Sequence, residues 1–85
     1  MKAQTKDYKT HVIKSVSKFL ELKLEEFGIS KTELVRQLNT QGYPISYATV
    51  NGYITNRNLI TGSNLLMLAD FFETSTDEIL GAYDL

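Results

Sequence analysis

Residues 28–56 read GISKTELVRQLNTQGYPISYATVNGYITN, and this stretch decides the fold. Ser30 followed three residues later by Glu33 is a capping box, the pairing of hydroxyl and carboxylate that satisfies free amides at a helix start. The helix that starts there carries Leu34, Val35 and Leu38 as its apolar face. Gly42-Tyr43-Pro44 then breaks it, because proline cannot continue the hydrogen-bond ladder and pushes the preceding residue out of helical geometry. Ser46 is placed to cap a second helix running to about Asn56, with Val50, Tyr53 and Ile54 at i, i+3 and i+4 on its inward side. A short strand over 45–50 is the competing reading.

Working outward, the preceding segment predicts a helix over about His11–Phe27. Val12, Ile13, Val16, Phe19, Leu20, Leu24 and Phe27 repeat on one face, and Gly28 is placed as a left-handed C-cap. The following segment predicts a helix over about Ser63–Glu73 with Leu65, Leu66, Leu68, Ala69 and Phe72 inward. A fifth helix opens with Ser75-Thr76-Asp77-Glu78 and carries Ile79 and Leu80. The tail, 81–85, is apolar enough to pack, with Tyr83 and Leu85 completing the core or meeting a second chain. Phe71 and Phe72 are adjacent and cannot both face the core, which directs Phe71 to the fifth helix or to a subunit contact. The expectation is one all-α domain, a five-helix bundle over 11–85, preceded by a flexible basic N-terminal arm over 1–10.

Eighty-five residues with no cysteine exclude disulfide staples and thiolate metal sites. Neither an apolar run of membrane length nor a signal-peptide pattern occurs, so the expectation is a soluble, cytoplasmic chain with no membrane partner. Catalysis has little to work with: His11 is the single histidine, and no Gly-rich phosphate loop or metal-ligand spacing is present. No enzyme activity and no cofactor are expected. The net charge is −1, but its distribution is uneven. Residues 1–20 hold five lysines against Asp7, residues 37–69 hold Arg57 alone, and Asp70, Glu73, Asp77, Glu78 and Asp84 close the chain. A polyanion would meet the first two regions and be kept from the third.

The outward side of the third helix is Tyr47, Ala48, Thr49, Asn51, Gly52 and Thr55, with no charge. Solvated helices favour Lys, Glu, Gln and Arg. Small uncharged residues instead let a helix approach a polar object closely. Asn can pair bidentately with an adenine edge, and Ala or Thr methyls can touch a thymine methyl.

From Leu24 to Leu80, about two-thirds of the chain, the sequence resembles the phage repressor and Cro type of helix-turn-helix domain, the lambda repressor-like fold. The resemblance is carried by 26–35 (EFGISKTELV), 45–53 (ISYATVNGY) and 65–80 (LLMLADFFETSTDEIL). It implies a sequence-specific transcriptional regulator of double-stranded DNA, commonly a homodimer, whose third helix enters the major groove while the second crosses the backbone. The implied contacts are Lys31 and Thr32, then Ser46, Tyr47, Ala48, Thr49, Asn51 and Gly52, then the following loop with Thr55, Asn56, Arg57 and Asn58.

Four positions depart from the family pattern. Lys31 stands where glutamine is usual, exchanging a positioned amide for a phosphate-seeking charge. Val35 replaces a smaller residue. The link between the second and third helices is about five residues longer. Leu24 and Ile54 stand where an Arg–Glu pair is often found, and exchanging an ion pair for two packed aliphatics can be neutral or stabilising. An alternative use of the same fold is a protein-binding modulator, an antirepressor that engages a partner repressor.

Overall fold

A computed structural model of the chain describes residues 7–84. Five α-helices form among them: α1 (Tyr8–Phe27), α2 (Lys31–Thr40), α3 (Tyr47–Ile54), α4 (Gly62–Phe72) and α5 (Thr76–Leu80), closed by a turn of 3-10 helix at Ala82–Asp84. No strand occurs among the described residues, so the strand reading of 45–50 is corrected: Ser46 opens a helix.

Each helix starts at a side-chain cap. Asp7, Ser30, Ser46, Thr61 and Ser75 each accept a bond from the amide three residues on, satisfying one of the donors a helix start leaves free. Asp7 explains why α1 starts at Tyr8 instead of His11. Its carboxylate takes the Thr10 amide at 3.0 Å and the Thr10 hydroxyl at 2.7 Å, and these two bonds hold its pKa below the ordinary value. Residues 8–10 of the expected arm are therefore helical with Asp7 as their cap, and residues 1–6 lie outside the described residues. The capping box at Ser30 is half formed: its hydroxyl receives the Glu33 amide, but the Glu33 carboxylate turns to Arg36 and Gln37. Gly28 ends α1 in the left-handed conformation, as expected.

The core comprises Val16, Leu20, Leu34, Leu38, Ile45, Val50, Tyr53, Ile54, Leu68, Ala69 and Ile79. Leu24 is partly buried against this core, of which Ile54 is a member. Full burial of each large aliphatic contributes roughly 1.5–3 kcal/mol. α1 lies against α3 and α5, α2 against α3, and α4 against α5. Leu66 is 65% exposed, which corrects its inward assignment: Leu65 and Leu68 take the core side of α4, and Leu66 falls on the other. Tyr83 is also exposed, and Leu85 lies outside the described residues. Phe72 meets Phe19 edge-on at 5.4 Å, whereas Phe71 turns edge-on to Tyr43, on the α2–α3 link, at 5.9 Å.

Three polar side chains of α1 reach the carbonyl ends of other helices. Ser17 donates to the Ile54 carbonyl at 2.6 Å, Ser15 to the Ile79 carbonyl at 2.9 Å, and His11 Nε2 lies 2.8 Å from the Gly81 carbonyl. A carbonyl only accepts, so His11 carries its proton on Nε2. Gly81 meets two demands at once. Its φ is +68°, and a Cβ there would collide with Ser15 Oγ and lie 2.9 Å from His11 Nε2. Gly28 shares the left-handed backbone but has open space around it. G81A is therefore expected to cost about 2–4 kcal/mol, from backbone strain plus overpacking, against about 1–2 kcal/mol for G28A. At roughly 4–8 °C per kcal/mol for a domain of this size, thermal unfolding should place G81A at least ~8 °C below wild type. Equal losses for the two variants would remove the contact with α1 from the explanation.

Candidate nucleic-acid interface

α3 is eight residues long, too short to persist alone, and it is held from behind. Val50, Tyr53 and Ile54 are buried, and the Tyr53 hydroxyl accepts a bond from Asn64 of α4 at 2.7 Å. This leaves Tyr47 and Ala48 exposed, Thr49 and Asn51 half-buried, and Thr55 exposed just past the last turn. Ser46 caps α3, and its hydroxyl lies 2.9 Å from that of Thr49, so two of the expected contact residues are engaged with each other. The Thr55 hydroxyl returns to the Asn51 carbonyl at 2.7 Å.

Two expected contact residues from different helices meet. Lys31, in the first turn of α2, places Nζ 2.7 Å from Asn51 Oδ1. Its ammonium is thus directed across the α2–α3 seam, while Thr32 beside it is exposed. On the opposite flank, Lys9 of α1, Thr49, Tyr53, Arg57, Asn58 and Asn64 line an open groove of about 510 Å³. Arg57 and Asn56 are exposed, and Asn56 takes a left-handed φ of 63° as the chain leaves α3.

Gly52 is corrected. It is buried, not part of the outward surface, because the chain folds back over it. The amides of Arg57 and Asn58 both bond to its carbonyl, and a Cβ on Gly52 would lie 2.8 Å from Asn58 Cγ. Asn58 therefore occupies the place that a side chain at Gly52 would claim.

The long α2–α3 link, 41–46, is fixed on both sides. Asn39 Nδ2 donates to the Tyr43 carbonyl at 2.9 Å and the Ile45 carbonyl at 3.0 Å, and Ile45 is buried. The Tyr43 hydroxyl donates to Asp70, and that bond raises its pKa. Sequence reasoning missed Asn39, Tyr43 and Lys9. The Asp7-to-Thr10 capping spacing was the available signal for Lys9, since it places this lysine on α1 instead of on an arm.

Among the described residues no cluster of His, Asp or Glu is placed to hold a metal ion, and no helix is long and apolar enough to cross a membrane. Comparison with known protein families, curated proteins and solved structures finds no match.

Two outcomes follow. G52A gains helix propensity of about 1 kcal/mol but must displace the Asn58 side chain. Stability should therefore change by less than ~1 kcal/mol, while NMR shifts of Asn58 and Arg57 move. A large loss of stability would show that Asn58 cannot give way. The second outcome concerns acid. Bonds from Arg36 and then Gln37 hold the Glu33 pKa at about 2, against 4.5 for an unperturbed carboxyl. A depressed folded pKa stabilises above the unfolded value, so this contribution is present above about pH 4.5 and is lost as pH falls towards 2. Urea titrations should show stability falling across that window, with a shallower fall in E33Q; Asp7 supplies part of what remains.

Proposed function

We propose that the chain is a sequence-specific DNA-binding transcriptional regulator of the repressor or Cro type, working in the cytoplasm. In this reading α2 and α3 act as a helix-turn-helix, with α3 in the major groove and α2 across the backbone. The observation that carries it is the outer side of α3. Tyr47, Ala48, Asn51 and Thr55 are uncharged and reachable, and cations stand on both flanks: Lys31 on one, Lys9 and Arg57 on the other. The stretch 37–69 has no acid to repel a phosphate chain. Lys9 and Arg57 at the rim would position the protein on the duplex, and the small polar centre would read base edges. Leu66, an exposed leucine on α4, is apolar surface available to a homodimer on a two-fold site. The half-sites would then lie about one helical turn, ~34 Å, apart.

A second reading, a modulator that binds a partner repressor through the same helices, is favoured by the net charge of −1 and the exposed Tyr47.

Gel-shift and fluorescence titrations with duplexes from around the gene discriminate the two. The DNA reading expects one duplex to be bound selectively, with affinity falling steeply as salt rises. R57Q should weaken binding to all duplexes alike and reduce the log–log salt slope by about 0.9, one phosphate's worth. N51A should leave the fold intact and erase preference at one base pair, roughly 1–3 kcal/mol of discrimination. Uniform low-salt binding to every duplex, unaffected by N51A, would sink this assignment and shift the weight to a protein partner.

A further inference from the structure

Asn51 has an amide with a donor side and an acceptor side, and the side that faces outward decides which base edge it can read. Lys31 fixes that choice. An ammonium has three donors and no acceptor, so the 2.7 Å contact from Lys31 Nζ must run to the amide oxygen. The oxygen is therefore drawn into the half-buried seam between α2 and α3. The amide nitrogen has no hydrogen-bond partner among the described residues. No fully buried side-chain nitrogen or oxygen among them lacks a partner, so this nitrogen, on the side of the amide away from the Lys31 contact, keeps access to solvent. Neighbouring groups do not compete for the arrangement. The Glu33 carboxylate is taken by Arg36 and Gln37, and Thr55 bonds to the backbone carbonyl of Asn51, not to its side chain.

Resting on the DNA-binding reading above, we propose that Asn51 reads a base edge offering acceptors only, guanine N7 and O6, and that Lys31 is the positioning residue that turns it that way. Adenine sets an amino donor beside N7, so bidentate pairing with it needs the amide oxygen outward, where Lys31 does not leave it. Guanine sets two acceptors side by side, which suits the two hydrogens of the outward amide nitrogen. Sequence alone suggests adenine for this asparagine; its partner 20 residues earlier reverses that expectation.

The test is selection of bound duplexes from a randomised library by the purified wild-type, K31M, K31Q and N51A chains, each checked for an unchanged unfolding transition. The base pair read by Asn51 is the one whose preference N51A erases. Wild type should carry guanine there. K31M keeps the stem without a donor, so its amide is free to turn, and discrimination against adenine should fall by roughly 5- to 150-fold. K31Q can still donate to Oδ1 without a charge and should keep guanine. K31M added to N51A should change nothing further. Adenine at that position in wild type overturns the proposal without any Lys31 variant. It is equally overturned if K31M and K31Q both keep guanine but weaken all sequences alike with a flatter salt dependence, because Lys31 is then a phosphate contact. A wild-type chain that enriches no sequence sinks the DNA reading itself, a result distinct from the other two, and the proposal falls with it.

Discussion

Among the described residues Ser17 is the one buried residue of polar type, and its hydroxyl donates to the carbonyl of Ile54, the last residue of α3. A helix end leaves its final carbonyls without partners, and an unpaired one in the interior costs roughly 1–3 kcal/mol. Ser17 removes that penalty and fixes where α3 stops relative to α1. Ser15 and His11 do the same for the end of α5, at Ile79 and Gly81. The long α1 thus serves as a rail to which two short helices are fastened by their carbonyl ends. Without it, neither eight residues of α3 nor five of α5 would hold a direction.

That fastening leaves the front of α3 free of structural duty. Its back provides Val50, Tyr53 and Ile54 to the core, so Tyr47, Ala48 and Asn51 need not contribute burial. The link before α3 is stiffened by Asn39 and by the Tyr43–Asp70 bond, and the chain after it is fixed by two amides on the Gly52 carbonyl. α3 is therefore held at both ends and from behind, which is the condition for a short helix to present side chains at reproducible positions. The bond from Tyr43 of the link also occupies Asp70 of α4, the first acid after the acid-free stretch 37–69.

Local signals were legible in the sequence and tertiary ones were not. Ser30, Ser46 and Ser75 could be read as caps because capping depends on residues three apart. The apolar stripes of α1, α2 and α3 followed from helical spacing alone. Leu66 was misread because a run of leucines does not say which one faces in. Gly52 was misread for a subtler reason: it lies one turn after the exposed Ala48, so periodicity turns it outward, and only the fold-back of Asn58 covers it. The start of α1 was missed because lysine-rich composition outweighed the Asp7–Thr10 spacing. The Lys31–Asn51 bond could not be read at all, since nothing local links residues 20 apart.

The same contrast separates the residues that stabilise the chain from those of the proposed DNA-reading face. A face made of Ala, Thr, Asn and Tyr forgoes the i,i+4 ion pairs and strong helix formers that would support α3 locally. Gly52 adds a further intrinsic cost of about 1 kcal/mol, accepted so that Asn58 can lie against the helix. The compensation comes from elsewhere: aliphatics of α1, α2, α4 and α5 with no exposed surface, an aromatic group around Phe72, and polar ties whose partners are backbone carbonyls. Because these supports lie behind α3, its outer residues can change without loss of the fold. Tyr47, Ala48 and Asn51 are therefore open to substitution, whereas Ser17, Gly81 and Val50 cannot vary so freely. In Asn51 the two roles meet. Its backbone carbonyl anchors Thr55, and its side chain is aimed by Lys31, so what it presents outward is set by a neighbour on α2 as much as by its own identity.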